Sequence, residues 1–297
     1  MAATAQAIRV GDDLTIHRIV EQEEPLFDPL QFFPGLTREA LDENRAWLES
    51  AGALDAETGK LRLCIQSYLV RTPRHTILVD TCVGNDKPRP ARPFWNMRRD
   101  DAWERGLAAT GVRVEDIDYV MCTHLHVDHV GWNTRLEDGR WVPTFPKARY
   151  LFGEAEFAHW SAEHAKAANP VMADSVLPIV EAGRADLVRT DAALDDHVRL
   201  VPTPGHTPDH YAVELGRGGT AAVLTGDLIH SPLQARYPEM SMFSDFDRAQ
   251  AARTRRRFLE CHCDTGTLVC TAHFPSPSTG HVGRWGDGFR FTAREEG

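Results

Sequence analysis

The sequence has no run of the roughly 18 apolar residues that a membrane-crossing helix needs. Its start, from Met1 to Ile8, lacks a basic region followed by an apolar one, so it does not read as a secretory leader. The expectation is a cytoplasmic protein with no membrane partner. Positive charge is also short: 33 Lys and Arg against 43 Asp and Glu leave a net charge of −10. A sequence-independent phosphate-binding surface needs clustered positive charge, so no nucleic acid partner is expected. Cysteine is sparse (Cys64, Cys82, Cys122, Cys261, Cys263 and Cys270), and 297 residues are enough to fold without disulfide staples. Cys261-His262-Cys263 has no second C-x-C or C-x-x-C to complete a structural zinc site. A G-x-S-x-G serine nucleophile signature is missing. No low-complexity linker divides the chain, so residues 1–297 read as a single domain.

Histidine, in contrast, is plentiful, with 14 in the chain. Three of them, with one aspartate, crowd into His124-Leu125-His126-Val127-Asp128-His129. The β-rich apolar run 117–122 precedes them, so the cluster sits where a buried strand ends. Imidazole and carboxylate are ligands that a borderline divalent cation prefers. His124 and His126 are two apart, so an extended backbone points them the same way. Asp128 and His129 fall where the chain can curl back with a second set of ligands. The simplest reading is one metal on each pair.

Along the chain, 14–19 alternates like a strand, and 21–35, acidic and then rich in Pro and Phe, reads as a loop. Thr37 caps a helix ending near Gly52. Strands follow at 61–70 and 76–80, with a basic, Pro-rich loop at 86–99. A helix over 101–110 closes at Gly111. After the strand and histidine cluster, 133–146 reads as polar turns, 149–152 as a strand, and 154–168 and 172–182 as helices. Strands are expected at 187–189, 198–201, 211–215, 221–224, 267–270 and 289–292. Asp247 starts a helix to about Glu260, whose Arg253, Arg255, Arg256 and Arg257 read as a solvated face. The order predicts two similar halves of strands plus helices, sheets inside and helices outside.

Three later strands run into loops with the same residue types at their heads: Gly205-His206-Thr207-Pro208, Gly226-Asp227, and Thr271-Ala272-His273. Aligned strand ends would gather all of them at one edge. Gly205 and Gly226 suit close backbone approach to a metal shell. His210, His230 and His281 read as partners that orient ligands, with substrate contact a further role for His230. Phe27, Phe33, Phe94, Trp95, Met97, Trp132, Met240, Met242 and Phe243, on loops, suggest an apolar substrate wall as a group.

H-x-H-x-D-H, G-H-T-P, G-D and the late A-H together resemble the metallo-β-lactamase superfamily, from Asp80 to His273. The resemblance implies an α/β fold of four αββα layers and two metals. By motif position, His124, His126 and His206 would bind the first metal, Asp128, His129 and His273 the second, and Asp227 would bridge them. Asp80 would support the shell. Asp227 stands where many true β-lactamases carry cysteine, and His126 where flavo-diiron proteins carry glutamate; both favour zinc hydrolysis of another substrate. The absence of a long inserted domain disfavours the nucleases. The layout after Gly226 resembles the branch of N-acyl homoserine lactonases and methyl parathion hydrolase. There a tyrosine often follows the bridging aspartate by three residues, and this chain has His230. The resemblance also implies a homodimer.

The resulting expectation is a metal-dependent hydrolase with two Zn²⁺ ions about 3.5 Å apart and a bridging hydroxide that attacks a lactone or ester carbonyl. Asp128 would orient the nucleophile, and His230 would donate to the oxyanion or protonate the leaving alkoxide. The alternatives are a phosphotriester or aryl ester hydrolase of this fold, a mononuclear iron oxygenase like the sulfur dioxygenases, and a non-catalytic metal-binding protein.

Overall fold

The computed structural model describes residues 7–295. The reading of the N-terminal residues therefore lies, up to Gln6, outside the described residues. Among the described residues no helix is long and apolar enough to cross a membrane. The described residues form two compact units, 7–22 with 65–192, and 23–64 with 193–295.

A seven-stranded sheet serves the first unit, in the order Ile8–Val10, Leu14–Phe27, Leu61–Arg71, Thr76–Val79, Tyr119–Met121, Arg149–Gly153 and Ala185–Val188. From Thr76 onward the pairings are parallel, with Val79 opposite Met121 and Met121 opposite Leu151. That register brings together the carboxyl ends of two strands, so the residues just beyond them, Asp80 and Thr123, meet. These strands are nearly continuous apolar runs, buried almost throughout, as parallel strands covered on both faces should be.

A six-stranded sheet lies in the second unit, in the order Val198–Pro202, Tyr211–Leu215, Ala222–Leu224, Leu268–Cys270, Thr279–Trp285 and Gly288–Ala293. Its only parallel pair sets Leu224 opposite Cys270. Thr225-Gly226-Asp227 and Thr271-Ala272-His273 therefore leave the sheet side by side, and the Thr225 N–H donates to the Cys270 carbonyl at 3.0 Å. Leu228, Ile229, Phe258, Leu259, Phe274 and Phe289 pack beneath this edge in one buried cluster.

The expected helix starts hold. Thr37 accepts from the Ala40 N–H and Asp247 from the Gln250 N–H, and Gly111 closes its helix at φ +76°. Three expectations fail, and two elements stand where none was expected. Residues 21–27 continue the strand Leu14–Phe27 and run into a short helix, Pro29–Phe32, capped by Asp28. The polar stretch after 133 is a hairpin, Thr134–Glu137 with Arg140–Pro143, turned at Asp138-Gly139; Asp-Gly is a hairpin signal in its own right. The strand Thr279–Trp285 and the helix Pro232–Arg236 were hidden by Pro, Ser and Gly. Finally, Arg255 is no part of a solvated face, being only 1% exposed.

Candidate metal ligands

In the first unit the cluster is fixed from beneath by Asp80. Its backbone is left-handed (φ +56°), a conformation that Asp tolerates better than most residues. One carboxylate oxygen accepts from the Thr123 N–H at 2.8 Å, and the other meets His129 Nδ1 at 2.8 Å. His124 Nδ1 lies 3.1 Å from Thr123 Oγ1. The rings of His124 and His126 are 4.5 Å apart, and those of His124 and His129 4.1 Å. His129 Nε2 is 3.9 Å from Asp128. His124 and His129 are buried, while His126 and Asp128 are half-buried.

Two buried acids that sequence reasoning missed hold this loop in place. Glu156 accepts from the Leu125 N–H at 3.2 Å and from Trp160 Nε1 at 2.7 Å, and the Trp160 ring meets His126 edge-on. Glu21 accepts from the N–H groups of Val83 and Gly84 at 3.0 Å and from Trp132 Nε1 at 2.7 Å. Burial raises the Glu21 pKa against the pull of Arg98 and of these three donors. Gly131 is obligatory here, because a Cβ would fall 1.9 Å from the Val83 carbonyl carbon. Glu21 carries no local signal in the sequence, where it stands between Val20 and Gln22 at the start of an acidic stretch.

In the second unit three imidazoles surround Asp227. Its Oδ1 is 2.8 Å from His273 Nε2, and its Oδ2 is 3.3 Å from His206 Nε2 and 3.1 Å from His230 Nε2. Asp227, His230 and His273 form a buried group able to hold a metal ion. His206 Nδ1 meets Asp245 Oδ1 at 2.9 Å, and His273 Nδ1 donates to the Cys64 carbonyl at 2.9 Å. The rings of His230 and His273 stack at 5.4 Å.

Burial resists charge on His206, but the Asp227 and Asp245 carboxylates outweigh it and bring its pKa up to about 9. For His230 burial wins, reinforced by His206 and His273 against the pull of Asp227, and its pKa falls below the usual imidazole value.

His210 accepts from the Asp227 N–H through Nε2 at 2.9 Å while its Nδ1 meets Thr203 Oγ1 at 2.7 Å. Thr203 thus orients the ring through Nδ1, and Nε2 holds the Asp227 backbone. His281 is exposed and bonded to the Thr267 carbonyl, so its expected role in orienting ligands is corrected. Gly205 also has another reason than the expected one. A Cβ there would lie 2.3 Å from the Ala251 backbone nitrogen, so the glycine lets the helix Arg248–His262 close on the histidine loop.

The expected apolar wall is partly core, since Phe33, Trp95, Trp132 and Met242 are buried. What remains beside His230 is a shelf of phenylalanines. Phe32 meets the His230 ring edge-on at 5.7 Å, Phe243 packs on Phe32 at 5.7 Å and on Phe27 at 6.4 Å, and Phe243 is 37% exposed.

The profile of the Metallo-beta-lactamase superfamily matches residues 65–273. An N-acyl homoserine lactonase from Bacillus cereus is 24% identical over 225 residues, 72% of this chain and 82% of that one. Another from a Bacillus species is 26% identical over 228 residues, with the same two shares. Among solved structures, a hydrolase of the β-lactamase superfamily, AbOPH, superposes with a TM-score of 0.82 at 22% identity, over 100% of this chain and 99% of that one. AidC, a dizinc quorum-quenching lactonase, gives 0.81 at 20% identity over 99% of each chain. The chain has the metallo-β-lactamase fold, belongs to the metallo-β-lactamase superfamily, and is a metal-dependent hydrolase.

Proposed function

We propose that residues 1–297 act as one catalytic domain, a dinuclear zinc hydrolase that opens a lactone or cleaves a related ester at its carbonyl. His124, His126 and His206 would hold one zinc, Asp128, His129 and His273 the other, and Asp227 would bridge them. The observation that carries this reading is the carboxylate of Asp227, whose two oxygens face different histidines, Oδ1 toward His273 and Oδ2 toward His206. A bridging carboxylate needs one oxygen for each metal. The donor set fits zinc in a second way. His124, His129, His206 and His273 each have Nδ1 engaged by a neighbouring oxygen, which fixes the ring and leaves Nε2 to serve as ligand.

When bound, zinc would supply a Lewis acid and lower the pKa of a bound water to about 7. The rest falls to the chain. Asp128, half-buried at the mouth of its loop, orients the attacking water. His230, beside Asp227, donates to the carbonyl oxygen as negative charge grows there. The phenylalanine shelf receives an apolar group attached to the lactone, as in the N-acyl homoserine lactones that the Bacillus relatives are named for.

Zinc saturation should give two metals per chain by elemental analysis, and chelation should abolish hydrolysis until zinc is returned. A clean one-to-one stoichiometry at saturation would sink the dinuclear reading. A panel of lactones, aryl esters, phosphotriesters, thioesters and β-lactams tests the substrate class, with lactones expected to give the highest kcat/KM. Along a series of N-acyl homoserine lactones, each added methylene that reaches the shelf should lower KM by up to about four-fold, the equivalent of about 0.8 kcal/mol. Phe243→Ala should raise KM for the decanoyl lactone by about ten-fold with kcat little changed, and leave the butanoyl lactone unaffected. Equal effects on both lengths would move the acyl group off the shelf.

A further inference from the structure

The helix Arg248–His262 buries Ala251, Arg255, Phe258, Leu259 and His262 along one stripe. Spacing puts Arg255 in phase with the apolar residues, where packing alone would favour Leu or Met. A guanidinium buried there gives up its hydration, which only close partners can offset. The partners are present and they are specific. Nε donates to the Leu228 carbonyl at 2.8 Å. Nη1 donates to the carbonyls of Pro238 and Met240, both at 2.8 Å. Nη2 lies 3.6 Å from Asp245 Oδ2.

Two of these contacts, those to Leu228 and Asp245, lead to a candidate ligand. Leu228 follows Asp227 directly and ends the turn Gly226–Leu228. Asp245 accepts from the Met242 N–H at 2.9 Å through Oδ2, and its Oδ1 meets His206 Nδ1 at 2.9 Å. One side chain thus ties the turn that carries Asp227 to the segment whose carboxylate orients His206. Arginine suits this because its planar fork presents separate nitrogens to separate acceptors in fixed directions. A lysine has a single nitrogen and cannot serve Leu228, Pro238, Met240 and Asp245 together.

We infer that Arg255, acting through Asp245 and the Leu228 carbonyl, is a positioning residue that sets the spacing of His206 and Asp227 for metal binding. The inference rests on the ligand assignment proposed above.

The test is a comparison of the wild type with Arg255→Lys, Asp245→Asn and the double variant. Two quantities are read: zinc affinity by competition with a chromophoric chelator, and the thermal midpoint of the metal-free protein. Each single variant should weaken the affected zinc by about 10- to 100-fold, as loss of a group that orients a ligand typically does. The double variant should bind zinc no more weakly than the worse single one, because Arg255 and Asp245 lie on one path. Unchanged zinc affinity with a lowered metal-free midpoint would make Arg255 a packing residue and overturn the inference. Penalties that multiply in the double variant would overturn the shared path. Should Arg255→Lys fail to fold, the isosteric Asp245→Asn carries the test by itself, and wild-type zinc affinity in that variant overturns the inference. A wild-type protein that takes up no zinc would overturn the ligand assignment, and this inference with it.

Discussion

Asp227→Ala is expected to lose at least one zinc per chain and nearly all hydrolysis while remaining folded. Asp227 turns its two carboxylate oxygens toward different histidines, Oδ2 to His206 and Oδ1 to His273, as the proposed bridge would require. Two dications held close together would repel each other, and a shared negative group would offset that repulsion. The fold should survive because the turn is held by its backbone. The Asp227 N–H donates to His210, the Thr225 N–H to the Cys270 carbonyl, and the Leu228 carbonyl accepts from Arg255. Cys263→Ser is the control: this thiol is half-buried and bonded to the neighbouring Asp264, and its loss should leave metal and rate intact. Elemental analysis and turnover on the same preparations decide the matter. Two zincs and a wild-type rate in the Asp227→Ala protein would remove that residue from the centre.

How much of this was legible in the sequence depends on how local the cause is. The H-x-H-x-D-H loop announces itself because ligands crowd into six residues, and strand ends at 79, 121, 224 and 270 follow from short apolar runs. The cap residues Thr37 and Asp247 act on donors three residues away, and they too were readable. The residues that support the ligands were not, because their partners are distant in sequence. Glu21 reaches Trp132, Glu156 reaches Leu125, and Asp245 reaches His206. Nothing in the neighbouring residues marks such an acid as buried.

Arg255 is a different kind of miss. It belongs to a run of arginines, and a charged run on a helix is normally wet. Its phase with Ala251, Phe258 and Leu259 was nevertheless visible, and periodicity carried more information there than residue type. The loop expected at 21–35 failed for a similar reason. Acidic residues lowered its apparent strand character, yet Glu21 is buried with three donors, and the strand Leu14–Phe27 runs through it.

His230→Ala is expected to bind two zincs and fold normally, yet to lose about a hundred- to a thousand-fold in kcat with a smaller change in KM. His230 stands three residues after Asp227, and the turn between them brings its Nε2 to 3.1 Å from Asp227 Oδ2. A carboxylate can only accept, so this nitrogen carries the proton and is a donor already aimed at the heart of the ligand set. The ring is held by the stack on His273 and by the edge of Phe32, and its backbone N–H donates to Gln234 Oε1 at 2.8 Å. The ring is fixed in advance, so a growing oxyanion beside it takes this N–H by a shift of the hydrogen bond away from Asp227, without the ring itself having to rearrange. Removing it should therefore cost transition-state stabilisation rather than metal affinity. His230→Gln retains an N–H donor and should recover part of the rate. The competing role is that of a brace, in which His230 serves only to hold the Asp227 carboxylate. That role predicts a lower zinc affinity in the alanine variant and no selective rescue by glutamine. Zinc content, kcat and KM of the two variants, measured side by side, separate the roles, and a near wild-type kcat in His230→Ala would exclude the donor role altogether.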